Sequence, residues 1–163
     1  MSDIPLQPRK HLVSREEREP FLAWLWEFLA AQRTLILATC NNQRPACNLM
    51  SFALASAEPA LALVTPQETA KYETLRINPA VSLMALDPPA LEQDLDRGTA
   101  VTLDGVASEI LDASKRRQWE AVFAAANPRL GEFVASPRSA VFRVDLRRVV
   151  SVTNFQQLSE ITL

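Results

Sequence analysis

The sequence predicts an α+β protein dominated by an antiparallel sheet of six to seven strands, closed into a barrel and flanked by helices. Three observations lead there. Seven segments read as strands, and helices are inserted between groups of them rather than alternating one for one, which argues against βαβ repeats. Neighbouring segments are joined by short turns. No edge-protecting lysines break them, and a sheet with unguarded edges is best closed on itself.

The leader, Met1 to about Val13, has no hydrophobic period and carries Pro5 and Pro8, so residues 1–18 read as an arm and 19–163 as one domain. Ser14-x-x-Glu17 has the form of a capping box, but a helix starting near Glu19, with Pro20 in its first turn, costs fewer backbone bonds. Phe21, Leu22, Trp24, Leu25, Phe28 and Leu29 then recur at helical spacing and give a wide apolar stripe. Thr34–Cys40 and Pro45–Leu54, separated by turn formers, predict a hairpin. A turn centred on Gln43-Arg44 would set Cys40 opposite Cys47; the plainer expectation is two buried, reduced thiols.

Ala60–Val64 is the third strand. Thr65-Pro66-Gln67-Glu68 then predicts a helix start, with Thr65 as N-cap, Pro66 at the first helical position and Glu68 at the third, turned back to the cap amide. That helix ends near Asn78-Pro79, because a residue before proline is pushed out of the α region. Ala80–Leu86 is the fourth strand, Asp87–Arg97 a solvated loop, and Thr99–Leu111 a long strand bulged at Asp104-Gly105. Asp112 caps a helix with Trp119, Val122, Phe123 and Ala126 on one face, Asn127-Pro128 stops it, and a further turn or two runs to about Val134. Strands at Ala140–Asp145 and Val149–Phe155 close the chain.

Composition prunes the functions. The chain has 163 residues, 48% hydrophobic and 22% charged, enough to bury a core without disulfides or metal. A net charge of −2 and a pI of about 5.5 supply no field for nucleic acid or an anionic membrane, so neither is expected as a partner. With two cysteines and no apolar stretch that reads as an export signal or a span, the cytoplasm is the expected location. Three scattered glycines cannot build a G-x-G-x-x-G turn or a P-loop. The single histidine, His11, excludes a His-rich zinc site and leaves no triad; no metal site and no catalytic side chain are identified, and chemistry is left to a bound cofactor.

Four blocks, Leu35-Ile-Leu-Ala-Thr39, Arg44-Pro45, Val64-Thr65…Thr69-Ala70-Lys71 and Asn78-Pro79-Ala-Val-Ser-Leu83, resemble in order and spacing the FMN-binding split β-barrels related to pyridoxamine 5′-phosphate oxidase. Each block alone is weak. The resemblance covers about Phe21 to Phe155, and Gly105-Val-Ala, Asn127-Pro128 and Asn154-Phe155 are similar to the haem-utilisation branch of the same fold. It implies a homodimer with FMN between the subunits, the ring along Asn48, Leu49, Met50 and Ser51, and the phosphate held by Thr65, Thr69 and Lys71 at a helix N-terminus. The implied activity is that of an FMN-dependent oxidoreductase acting on a small molecule, with a deazaflavin as a variant.

This chain departs from the oxidase pattern where phosphate-binding cations are expected: Asn48, Ala53 and Ala70 stand at those positions, leaving Lys71 alone. Two other readings therefore stand beside the first. One is a haem-handling protein, for which only His11 or a cysteine could ligate iron, since the C-terminal Glu160-Ile-Thr-Leu163 has no histidine. The other is a non-catalytic barrel dimer that binds a ligand or partner.

Overall fold

The computed structural model describes residues 9–55, 58–87, 98–154 and 156–163. The elements run β1 (Arg9–Leu12), α1 (Arg18–Ala30), β2 (Thr34–Asn41), β3 (Arg44–Leu54), β4 (Ala60–Pro66), α2 (Ala70–Ile77), β5 (Ala80–Leu86) and β6 (Thr99–Glu109). They continue as α3 (Ala113–Ala126), a 3-10 turn (Pro128–Leu130), α4 (Gly131–Ala135), β7 (Ser139–Thr153) and β8 (Gln157–Thr162). Most of the predicted 87–97 loop, Met1–Pro8 and Phe155 lie outside the described residues.

Sheet order is β1-β8-β7-β4-β3-β2-β5-β6, and a further β6–β7 pairing closes six antiparallel strands into a barrel with β1 and β8 as an added flap. Closure rests on β7. Its first half pairs with β4, its second half with β8, and nearly its whole length with β6. The Asp104-Gly105 bulge is present: the register steps from Asp104↔Arg148 to Gly105↔Leu146, leaving Arg147 as the extra residue. Glycine is required there, because a Cβ on Gly105 would sit 2.7 Å from the Asp145 carbonyl oxygen and 2.9 Å from Val144.

Inward-facing residues alternate along each strand, as a barrel wall demands. Leu35, Leu37, Leu61, Leu63, Leu83, Leu103, Phe142 and Val144 fill the interior, joined by Leu25 and Leu29 from α1. A second cluster lies outside the wall, where Phe123 of α3 and Val134 of α4 cover Ala53, Ala62, Val64 and Val141. No helix among the described residues is long and apolar enough to cross a membrane.

Several expectations are corrected. Ala140–Asp145 and Val149–Phe155 belong to one strand, β7, because β6 pairs across the expected break and accommodates it as a bulge. The strand β8 and the parallel β1–β8 pairing were not foreseen; a leader too short and polar to show a period gains its hydrogen bonds from a distant partner. The hairpin turn centres on Asn42-Gln43, whose φ values of 48° and 62° suit a two-residue turn. Cys40 therefore faces Pro45, Cys47 faces Ala38, and neither thiol is buried. On α3, Phe123 is buried and Trp119 partly so, while Val122 and Ala126 are exposed.

The α1 start agrees with the pattern. Arg18 is its first residue and Pro20 its third. Ser14 and Glu17 form the reciprocal box bonds on the turn leading in, with the Ser14 amide donating to Glu17 at 2.9 Å and the Glu17 amide to the Ser14 hydroxyl at 3.3 Å.

Candidate functional site at the start of α2

The expected N-cap, Thr65, lies in β4 opposite Ala140, and Pro66 ends that strand opposite Ser139. A ladder of paired residues outweighs a local capping motif, and proline is tolerated at a strand end. Thr69 is the cap: its hydroxyl accepts from the Tyr72 amide at 3.3 Å and donates to the Pro66 carbonyl at 2.9 Å. Glu68 precedes the helix and is bonded by Arg138 rather than turned back to a cap amide. Arg138 is a cation beside this turn that motif reading missed, since only the β4–β7 pairing brings it there; its carbonyl also accepts from the Gln67 amide.

The structure brings Thr65 and Thr69 together at the start of α2, while Lys71 reaches across to β3. The Thr65 and Thr69 hydroxyls are 3.2 Å apart, with Thr65 buried. Lys71 reaches Met50 of β3, its ammonium 2.9 Å from the thioether sulfur, its only polar contact among the described residues. A thioether is a weak acceptor, and burial pushes the Lys71 amine below its ordinary pKa. The amides of Ala70 and Lys71, the first two of the helix, have no partner among the described residues.

The β3 segment completes the site. Strand β4 pairs only with Phe52–Leu54 of β3, so Arg44–Ser51 are paired with β2 on one side and, among the described residues, with no strand on the other. Along this open edge Asn48 and Ser51 are half-buried, Met50 is buried and Leu49 is 72% exposed. Asn48 and Met50 stand opposite the inward Leu37 and Leu35, whereas Leu49 faces outward with Ile36. A ligand along this segment would meet backbone groups and side chains of both faces. Across Ile36 from Leu49 on the outer wall is Met84, 38% exposed, and farther along the same wall, opposite Ala80, Val106 is 39% exposed, so this side lacks the helical cover of the opposite one.

The donor set fits a monoanionic or dianionic group: one ammonium without an anionic partner among the described residues and two helix amides, while the hydroxyl protons of Thr65 and Thr69 are taken up by Thr69 and the Pro66 carbonyl. It does not contain the further cations of the oxidase pattern, since Asn48, Ala53 and Ala70 supply none. His11 is remote in sequence and exposed, its Nε2 3.0 Å from Glu17. Among the described residues no three His, Cys, Asp or Glu side chains gather as a metal site would need.

Comparison with known proteins agrees with this architecture. A search of curated proteins found no match. The chain is similar in structure to a haem-binding protein from Mycobacterium smegmatis, at 20% identity and TM-score 0.73 over 83% of this chain, although it spans only 55% of that protein's length. It is similar to the haem storage protein HutZ from Vibrio cholerae, at 25% identity and TM-score 0.61, covering 77% of this chain and 89% of that one. It is similar also to a FAD-binding protein from Mesorhizobium loti, at 18% identity and TM-score 0.62, covering 80% and 90%. The family model for pyridoxamine 5′-phosphate oxidase matches residues 25–153, the whole barrel from α1 through β7, and the chain belongs to that family.

Proposed function

We propose that this protein is an FMN-binding oxidoreductase acting on a small molecule in the cytoplasm, as a homodimer whose subunits share the cofactor. The observation that carries this reading is the open edge of β3 lying beside an ammonium held against a thioether. A half-buried cation without an anionic partner costs free energy that an arriving phosphate would recover. Lys71 would take the phosphate charge, the Ala70 and Lys71 amides would donate to its oxygens, and Asn48–Ser51 would hold the ring along the strand edge. Bound FMN supplies hydride or electron transfer, and the protein supplies position, field and exclusion of water. The outward, exposed Leu49 and Met84, which flank Ile36 across the sheet, favour a second copy as the cover.

The test is an absorption spectrum of freshly purified protein followed by titration with FMN. The expected results are flavin bands, or a melting temperature that rises with FMN concentration by mass action. Absence of both at micromolar FMN overturns the assignment and leaves a ligand-binding barrel without flavin. Haem binding is the second reading, supported by the similarity to HutZ. His11 and Cys47 are the exposed candidate ligands, and a Soret band that shifts with haemin and is lost in His11→Ala would favour it.

A further inference from the structure

A groove lies on another face of α2. While Lys71 points to Met50, Tyr72 and Arg76 face the end of β6 across an open groove of about 570 Å³, within the size range of small-molecule sites. The groove exists because β5 begins at Ala80: the last β5–β6 pair is Ala80↔Val106, the Ala107 amide donates to the Pro79 carbonyl, and beyond it the β6 edge has no strand partner among the described residues.

Glu109 is the central group. Its side chain is only 15% exposed, yet its partners are distant: the Tyr72 hydroxyl at 3.3 and 3.4 Å and the Arg76 Nε at 3.9 Å. Ordinary O–H···O bonds are about 2.5–3.0 Å, so this carboxylate is underbonded where underbonding is costly. Arg76 lies over the Tyr72 ring at 5.6 Å, and the outer nitrogens of its guanidinium have no bond among the described residues. Leu75 and Phe142 form an apolar floor, and Leu111, 81% exposed, stands on the rim.

We propose that this groove binds a free zwitterionic amino acid with an apolar side chain. The ammonium would bond Glu109, the carboxylate would take the fork of Arg76, and the side chain would lie between Leu75, Phe142 and Leu111. Two opposite charges a short span apart, neither tightly satisfied by the other, above apolar floor, match that ligand and match a simple cation or anion less well. The site uses none of the residues proposed to hold FMN.

Tyr72 is the only tyrosine in the chain, so a ¹³C-tyrosine label gives one ring signal at this groove. Titration with L-phenylalanine is expected to move that signal saturably, with phenethylamine and 3-phenylpropionate each binding about tenfold more weakly or worse. Glu109→Gln and Arg76→Met should each weaken phenylalanine by about tenfold, the exposed rim change Leu111→Ser by several-fold, and Lys71→Met not at all. No saturable shift, equal binding of the single-charge analogues, or unchanged affinity in the Glu109, Arg76 and Leu111 variants overturns the proposal. Because the titration is run without flavin and repeated in Lys71→Met, its failure is separable from failure of FMN binding.

Discussion

At the scale of single residues, Lys71 decides most. It is the one cation in the first turn of α2, and its amine is half-buried against Met50. Lys71→Met should weaken FMN by tenfold or more, since a charge-assisted contact contributes about 1.5–3 kcal/mol, while raising or leaving unchanged the melting temperature of the free protein; flavin titration and thermal melts check both. The residue types and order of Thr65, Thr69 and Lys71 were readable directly from the chain. The position of the cap was not. Thr65 and Thr69 both precede residues that can start a helix, and only the pairing of Thr65 with Ala140 in the sheet decides between them. Arg138 and the Glu109 groove were invisible for the same reason, being assembled by contacts between residues far apart in the chain.

At the scale of elements, local signals located most strands and helices, but not where one strand is long or where a short one borrows a partner. The bulge at Asp104-Gly105 was readable from glycine inside a strand pattern, and its cause is the close approach of β7. Gly105→Ala should destabilise the fold by about 1–3 kcal/mol, measured by denaturant unfolding, because the neighbouring backbone cannot yield as a side chain would. Strand β1 is tied down by charges as well as by its ladder: Lys10 pairs with Glu160, Glu160 with Arg148, and Arg148 with Asp104. Bonds from Arg148 and then Lys10 hold the Glu160 carboxyl down at about 2, below the ordinary value of 4.5. A depressed carboxyl stabilises the folded form fully above the unfolded value, and that contribution fades as pH falls from about 4.5 towards 2. Amide exchange at Arg9–Leu12 should therefore accelerate, relative to the barrel strands, across that window, and Glu160→Gln should remove the pH dependence.

At the scale of the whole molecule, helices α3 and α4 cover one flank of the barrel and the opposite flank presents Leu49, Met84 and Val106 to its surroundings. Sedimentation should give a dimeric mass at micromolar protein, and Leu49→Asp should give a folded monomer with weakened FMN binding; a monomer in the unaltered protein removes the shared cleft. The pairing of β1 with β8 bears on how the molecule is made. His11 meets Ser159, so β1 finds its place only after β8 has been synthesised. Until β8 exists β1 has no strand to pair with among the described residues, so its ladder depends on closing one of the longest loops in the fold.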